Sequence, residues 1–515
     1  MPAFTKATRQ YQILLLFFMA LKIVLELVAV NPVYELHRDE YLYLDQSSHP
    51  AFGYVSVPPL TAWIGSLVHL LGSSVTVVHF FPAMFGAFTL AFCWLIVHEL
   101  GGGLTAKIST ALLLICSVLF RLDILFQPNS FDILSWTAIY YLLIKYVHSQ
   151  ENKWLLWLGP AIGLAILNKY NVAFLLVGLA PAFVLTKERS IFVNRYFYSG
   201  MLIAFMIVLP NIVWQLQHRL PVVHHMHELT SRQLNNVSRK DFLFFQALFF
   251  FVGDLVLISA FFGLWLYPPL KPYRFVGWSY VFIIAIFLVM RGKDYYSLGL
   301  YPVLVAVGSA FLDRYYKRKW SRFILPSIVV VNTVAFILLA KLLLPLMTPQ
   351  QIRNHAERFQ KLGLLKWEDG KDHMLPQDFA DMQGWREMAL KAKQVYVQVP
   401  DSEKKKTIII CDNYGQAGAL NYYGEGTMPK AVSFNADYVG WFPGHDITNV
   451  IAVKEVNDTI ERKYTDMFHA VEKKDSVTNI WARERGTSII LLKGANPAFA
   501  QKIYERAEKE KRYEE

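Results

Sequence analysis

Residues 11–30 read YQILLLFFMALKIVLELVAV and residues 37–41 read HRDEY. The first stretch carries charge only at Lys22 and Glu26 and has the length and composition of a helix that crosses a bilayer. The second places Asp39 and Glu40 just beyond it, ahead of Tyr54-Val55-Ser56-Val57-Pro58-Pro59. Carboxylates at a membrane surface, with aromatics on both sides, are costly to hold there and are seldom idle. The pair points to chemistry on a substrate that is itself anchored in lipid.

Composition agrees with a membrane protein. Of 515 residues, 54% are hydrophobic and 18% charged, and the mean hydropathy is +0.30. Up to Pro345 there are 26 Lys and Arg against 15 Asp and Glu, and beyond it 25 against 25, so the net +11 belongs to the apolar part. Such an excess reflects topology and gives no argument for nucleic acid. The first apolar segment lacks a small-residue cleavage site and is expected to be retained as a helix. Cys93, Cys116 and Cys411 are too few and too scattered for a disulfide framework.

Working outward, apolar runs predict helices near 11–31, 75–98, 104–120, 130–148, 154–168, 171–186, 197–214, 242–267, 275–290, 296–312 and 322–345, eleven spans in all. The run Leu60 to Leu71 reads as lying along the interface. Basic residues order the loops: Lys6 and Arg9, Lys145 and Lys153, Lys187, Arg189 and Arg195, Lys271 and Arg274, and the cluster Arg314, Lys317, Arg318, Lys319, Arg322 fall on one side. By the positive-inside rule that side is cytoplasmic. Eleven spans then put the Asp39-Glu40 loop, 121–129, 215–241, 291–295 and the C-terminal tail outside. The expected division is a membrane domain over 1–345 and a small extracytoplasmic α/β domain over 346–515. In the tail, Thr407 to Ile410, Asn449 to Val453 and Ser488 to Leu492 read as strands. Gly415 to Tyr422 reads as the start of a helix, with glycines that match no phosphate-binding loop, and Gln501 to Glu515 as a charged helix or frayed end.

Each polar cluster has two readings. Asp39 or Glu40 can act as general base on an acceptor hydroxyl, or can cap a helix or pair with Arg38. Burial at a membrane surface is one way a carboxylate's proton affinity is brought toward the working pH. Asp132, in Gln127-Pro128-Asn129-Ser130-Phe131-Asp132, can line a pocket or compensate a helix dipole, and dipole compensation is preferred for Asp123. Lys169, Arg291 and Lys293 can meet a lipid-linked phosphate or snorkel to the interface. Asp254, a lone acid in an apolar run, calls for a cation on a neighbouring helix. His224, His225 and His227 with Glu228 lack a zinc-site spacing, and a loop that touches the acceptor, or no specific role, is preferred to a metal site.

These motifs together resemble the bacterial branch of the protein O-mannosyltransferase superfamily, glycosyltransferase family 39, and more distantly the lipid A aminoarabinose transferases. The marks are R-D-E-Y at 38–41, G-Y-V-x-x-P-P-L at 53–60, Q-P-x-x-F-D at 127–132 and L-N-K-Y at 167–170. G-K-D-Y-Y and L-Y-P within 292–302 and N-Y-G-Q-A-G-A-L-N-Y-Y-G at 413–424 complete them. The resemblance implies a polytopic α-helical protein with the C-type glycosyltransferase fold in a bacterial plasma (inner) membrane. It implies an inverting transferase that moves a hexose or pentose from a polyprenyl-phosphate donor to a lipid, glycan or protein acceptor, with no cofactor or metal required. Asp39 and Glu40 would be catalytic, and Asp132, Lys169, Arg291, Lys293, Tyr295 and Tyr54 would bind substrate. One departure stands out: Val57 occupies a place where the aminoarabinose transferases resemble one another in having lysine, so phosphate must be met by other cations. The rival reading is a transporter or flippase of a lipid-linked sugar, which would place its polar residues at mid-depth with inverted repeats and broken helices.

Overall fold

The computed structural model describes residues 6–232, 234, 237–315, 321–444, 446–456 and 458–512. Lys317, Arg318 and Lys319 of the basic cluster, and the last three residues of the segment expected over 501–515, lie outside the described residues. Among the described residues six helices are long and apolar enough to cross a membrane: Arg9–Val28, Val75–Glu99, Arg195–Gln217, Pro268–Met290, Asp294–Arg314 and Ile324–Leu343. Lipid offers no partner for backbone N–H and C=O groups, so helices that satisfy them internally are the form these runs take. A largely buried helix, Pro128–Ser149, and shorter apolar helices, Leu60–Leu70, Leu104–Ile115, Lys153–Asn168 and Val172–Val184, pack among them. The chain is a multi-pass membrane protein.

Two expected helices are interrupted. The run over 104–120 ends at Ile115 and resumes as the short helix Leu119–Asp123. The run over 242–267 is split into Arg239–Gln246 and Phe251–Leu266, which meet at 87°. Phe251 at the bend has a φ of 51°, a strained value for a bulky residue, and Asn332 accepts the Gly253 N–H there at 2.9 Å.

The tail carries a five-stranded mixed sheet: β1 (Thr407–Cys411), β2 (Ala431–Ser433), β3 (Asn449–Lys454), β4 (Phe468–Ser476) and β5 (Ser488–Ala495), in the order β2-β1-β3-β5-β4. β1 runs parallel to β2 and β3, with Ile409 opposite Ile451, while β5 is antiparallel to β3 and β4. β1 and β3 are buried apolar runs and are readable as such. β4 carries four charged residues in a row (Glu472, Lys473, Lys474, Asp475), as suits an edge strand, and escapes a search for apolar runs. The end expected over 501–515 is the helix Pro497–Arg512, whose Phe499, Ile503 and Ala507 are buried.

The tail is seated on the membrane half through a shared core. Leu36, Tyr41, Leu42, Val78 and Phe85 from the first part pack in one apolar cluster with Trp385, Met388, Ala417, Leu420 and Ile451 from the second. The join is the helix Arg38–Ser47, which lies beneath the tail helix Tyr414–Tyr423. Gly415 and Gly418 face it. A Cβ on Gly418 would meet the Tyr41 Cβ at 2.8 Å and the Tyr438 hydroxyl at 2.7 Å. These glycines serve helix packing, so the tail motif is a docking device.

Candidate functional site

Why a helix begins at Arg38 decides where Asp39 and Glu40 point. His37 is the N-cap, its ring accepting from the Asp39 N–H at 3.3 Å, and Glu40, three residues on, accepts the His37 N–H at 2.7 Å. The other Glu40 oxygen takes the Phe126 N–H at 2.7 Å and lies 3.3 Å from His79 Nε2. Glu40 is fully buried. Burial alone would push its carboxyl up, but His79 and the two N–H groups outweigh that and hold it below the usual carboxylate range. It thus serves as a charged peg between the first loop and the start of Pro128–Ser149.

Asp39 is different. Its side chain keeps 32% of its surface open, and no ion pair with Arg38 forms among the described residues. Tyr414, the first residue of the tail helix, donates its hydroxyl to Asp39 Oδ1 at 2.7 Å. Burial, and then the negative charge of Asp39, push the Tyr414 phenol well above its ordinary range, so it stays a donor. Arg38 lies over the Tyr414 ring at 4.7 Å from its centroid.

From Asp39 a line of hydrogen bonds runs to Lys169. Gln127, the residue that opens Pro128–Ser149, donates to Asp39 Oδ2 at 3.3 Å. Asn129 donates to Gln127 Oε1 at 2.9 Å, and Lys169 Nζ donates to Asn129 Oδ1 at 2.8 Å. Lys169 ends the helix Lys153–Asn168 in an extended conformation, which is why the apolar runs on either side of it are short. Its ammonium sits 5.3 Å and 5.1 Å from the ring centroids of Tyr295 and Tyr296 and is close enough to Lys293 to feel its charge. Tyr295 in turn lies within electrostatic reach of Asp39 and Tyr43. Asp132 accepts from Trp136 at 3.0 Å and from Asn171 at 2.9 Å, and Asn171 also donates to the Tyr296 carbonyl at 3.0 Å. Four motifs that are distant in the chain are therefore one constellation: Asp39, Asp132, Lys169 and Lys293 with Tyr295.

Other expected residues lie elsewhere or do other things. Tyr54 stands apart from this set. Its hydroxyl is held by the carbonyls of Gln46 and His49 at 2.9 Å each, which fixes the first loop and leaves that hydroxyl engaged. Arg291 caps the helix Arg274–Met290 in a left-handed conformation, φ 53°. Asp123 ends Leu119–Asp123 and is buried 2.9 Å from Lys22, which also bridges Glu26 at 2.5 Å. This buried ion triad replaces the dipole reading of Asp123, since a desolvated charge needs partners. Asp254 has no cation partner among the described residues, and neither of its carboxylate oxygens has a hydrogen bond there, contrary to the expected pair. His224 and His227 are exposed on the helix Pro221–Arg232, and no group of three or more His, Cys, Asp or Glu side chains among the described residues is arranged to hold a metal.

Tyr414, Gln127 and Asn129 lie within the motifs at 413–424 and 127–132, but nothing in the chain alone assigns them a role. The signal for Tyr414 is its place just after Asn413, the N-cap that accepts the Gln416 N–H at 3.0 Å.

Residues 56–214 match the family model of dolichyl-phosphate-mannose-protein mannosyltransferase. The lipid A galacturonosyltransferase RgtD of Rhizobium johnstonii is 28% identical over 233 residues, 43% of this chain and 47% of that protein. The chain thus spans about half the length of the curated relative it matches. Among solved structures, ArnT from Cupriavidus metallidurans bound to undecaprenyl phosphate superposes with a TM-score of 0.63 at 13% identity, over 93% of this chain and 97% of that one. The Archaeoglobus fulgidus oligosaccharyltransferase in complex with Zn and sulfate gives a TM-score of 0.50 at 13% identity, over 85% and 68%. Both likenesses show the fold. Residues 56–214 are thus similar to the dolichyl-phosphate-mannose-protein mannosyltransferase family, and the chain has the fold of ArnT and of the oligosaccharyltransferase, the C-type glycosyltransferase fold.

Proposed function

We propose that this protein is an inverting glycosyltransferase that moves a sugar from a polyprenyl-phosphate donor to an acceptor hydroxyl at the outer face of a bacterial plasma membrane. The observation that carries the reading is the hydrogen-bonded line from Asp39 through Gln127 and Asn129 to Lys169. It joins a partly open carboxylate and an ammonium group, the two charges that such a transfer needs.

In this reading Asp39 accepts the proton of the acceptor hydroxyl as its oxygen forms a bond to the anomeric carbon. The bond from that carbon to the phosphate oxygen breaks, and polyprenyl phosphate leaves with the electron pair. Lys169 and Lys293 meet the growing phosphate charge, in a place already walled by Tyr295 and Tyr296. Because the leaving group is stabilised as a phosphate, the step as written draws on these ammonium groups and on no cofactor. Glu40, with both oxygens engaged, positions the loop. Asp132 fixes Asn171 and through it the backbone of Tyr296. The tail supplies Tyr414 and lies on the acceptor side.

RgtD, ArnT and the family model support a sugar transferase with a lipid-linked donor; the sugar and the acceptor are left to experiment. The test uses purified protein in nanodiscs with polyprenyl-phosphate hexoses and pentoses and an extract of envelope lipids. Release of polyprenyl phosphate, matched by a glycoside of inverted anomeric configuration, is expected. Donor that crosses the bilayer unchanged, with no glycoside formed, would instead favour a flippase.

A further inference from the structure

The last span, Ile324–Leu343, is basic at both ends. Arg322 stands just before it, and Lys341 lies in its last turn. Beyond Lys341 come Arg353, Arg358, Lys361 and Lys366, with Glu357 the one acid between 341 and 366. The positive-inside rule accounts for one basic end of a span and leaves the other unexplained. At this second end two clefts meet at Arg353 and Ala356. One, of about 970 Å³, is lined by Leu339 and Leu342 of the span and by Arg358, Lys361 and Leu362. The other, of about 480 Å³, is lined by Trp481, Arg483 and Arg485 from the turn between β4 and β5. Several charged groups there are already engaged: Arg483 bridges Asp381 at 3.2 Å, Asp372 accepts from Gln360 at 2.9 Å, and His373 lies 3.0 Å from Asp369. Arg353, Arg358, Lys361 and Arg485 are exposed, and their side chains have no partner among the described residues.

We infer that the joined clefts hold one membrane phospholipid with an anionic headgroup, a resident partner of the fold that is neither donor nor acceptor. Its phosphate meets Arg353, with Arg485 on the tail side and Lys361 on the span side. Guanidinium groups bind phosphate oxygens through paired hydrogen bonds, and basic pockets beside a span are where anionic headgroups settle. Its acyl chains follow Leu339 and Leu342 onto the span, where Val330, Val331, Val334, Ile337 and Leu338 are exposed and face lipid. A zwitterionic lipid brings a further cation to a place with cations in excess. A soluble acidic peptide leaves the apolar strip and Leu362, 55% exposed, uncovered. An anionic amphiphile satisfies both halves. The site is tied to the join of the two domains. Arg483 bridges Asp381, whose backbone carbonyl accepts the Arg38 N–H at 3.1 Å, so a lipid held beside Arg483 braces the tail where the helix Arg38–Ser47 begins.

The experiment is native mass spectrometry of the full chain released from nanodiscs that hold phosphatidylglycerol and phosphatidylcholine in equal parts. Phosphatidylglycerol is expected to be retained at least tenfold over phosphatidylcholine. In the double variant Arg353→Gln, Arg485→Gln the preference should fall to within twofold of parity. Phosphatidylglycerol should also raise the melting temperature of the parent and not that of the double variant. Arg462→Gln, an exposed arginine that lines neither cleft, should keep the parent's preference. Equal retention of the two lipids, an unchanged preference in the double variant, or an equal loss in Arg462→Gln overturns the inference. So does an equal rise in melting temperature from inorganic phosphate in discs of phosphatidylcholine alone, since the ligand is then a free anion. Should the double variant fail to fold, Lys361→Gln, on a different element from Arg485, decides the matter by the same preference. None of these readouts depends on turnover.

Discussion

The hydroxyl of Tyr414, at the start of the tail helix, donates to the carboxylate of Asp39, just after the first span, at 2.7 Å. The two are 375 residues apart in sequence, and the bond makes the tail a part of the site. Tyr414→Phe removes this donor while keeping the ring beneath Arg38. Turnover is expected to fall roughly ten- to a hundredfold, the range for a hydrogen bond to a charged group. Expression and melting temperature should stay near those of the parent. Steady-state kinetics of the purified variant check this.

Lys169 ends the line of hydrogen bonds from Asp39, and it is held in place by Asn129. Lys169→Met keeps the length and removes the charge. In a donor titration its kcat/KM should drop at least about tenfold, since a charge-assisted phosphate contact is lost. An equal effect on a donor analogue that lacks the phosphate would point to a structural role.

Gly418 allows the two helices of the join to touch. Gly418→Ala forces a methyl against Tyr41 and Tyr438, and overpacking of this kind costs about 1–3 kcal/mol. Limited proteolysis should release the tail more readily, with activity falling in parallel.

Glu387 gives a prediction in pH. It accepts from the Thr478 N–H and hydroxyl and the Asn479 N–H, and pairs with Lys391 at 2.9 Å, so it staples Trp385–Val397 to the turn after β4. Burial raises its carboxyl, but these donors more than offset that and bring it down from 4.5 to about 2. A carboxyl that is lower in the folded than in the unfolded state stabilises fully above the unfolded value and loses its effect as pH falls through the folded one. Glu387→Gln should therefore cost about 1–2 kcal/mol at neutral pH. The gap in melting temperature between parent and variant should narrow between pH 4.5 and 2. A gap that widens in acid contradicts this account.

Much of this molecule is legible in the chain because the bilayer imposes long apolar runs. Arg9–Val28 and Ile324–Leu343 stand out for that reason, and β1 and β3 because both faces of each are covered. The bend at Phe251 is not legible, since the apolar run continues through it and only packing against Asn332 and its neighbours sets the angle. Asp39, Asp132, Lys169 and Lys293 can each be picked out as polar groups out of place. Their separate tasks cannot. Asp39 and Glu40 are adjacent in sequence, and only the His37 cap and the Phe126 N–H turn one inward as a peg and leave the other open. Tyr54 is another case: an aromatic beside a polar loop looks the same in sequence whether its hydroxyl is open or, as here, held by the carbonyls of its own loop. Tyr414 is hidden because its partner lies at the far end of the chain.

The central claim is that Asp39 takes the acceptor's proton, and Asp39→Asn tests it without a change in volume. Mass spectrometry would compare envelope lipids, glycans and proteins from cells that lack this chain, complemented with the parent or with the variant at equal expression. The account predicts a hexose- or pentose-sized mass on one acceptor that disappears on deletion, returns with the parent and stays absent with Asp39→Asn. Full return of that mass with the variant would contradict it.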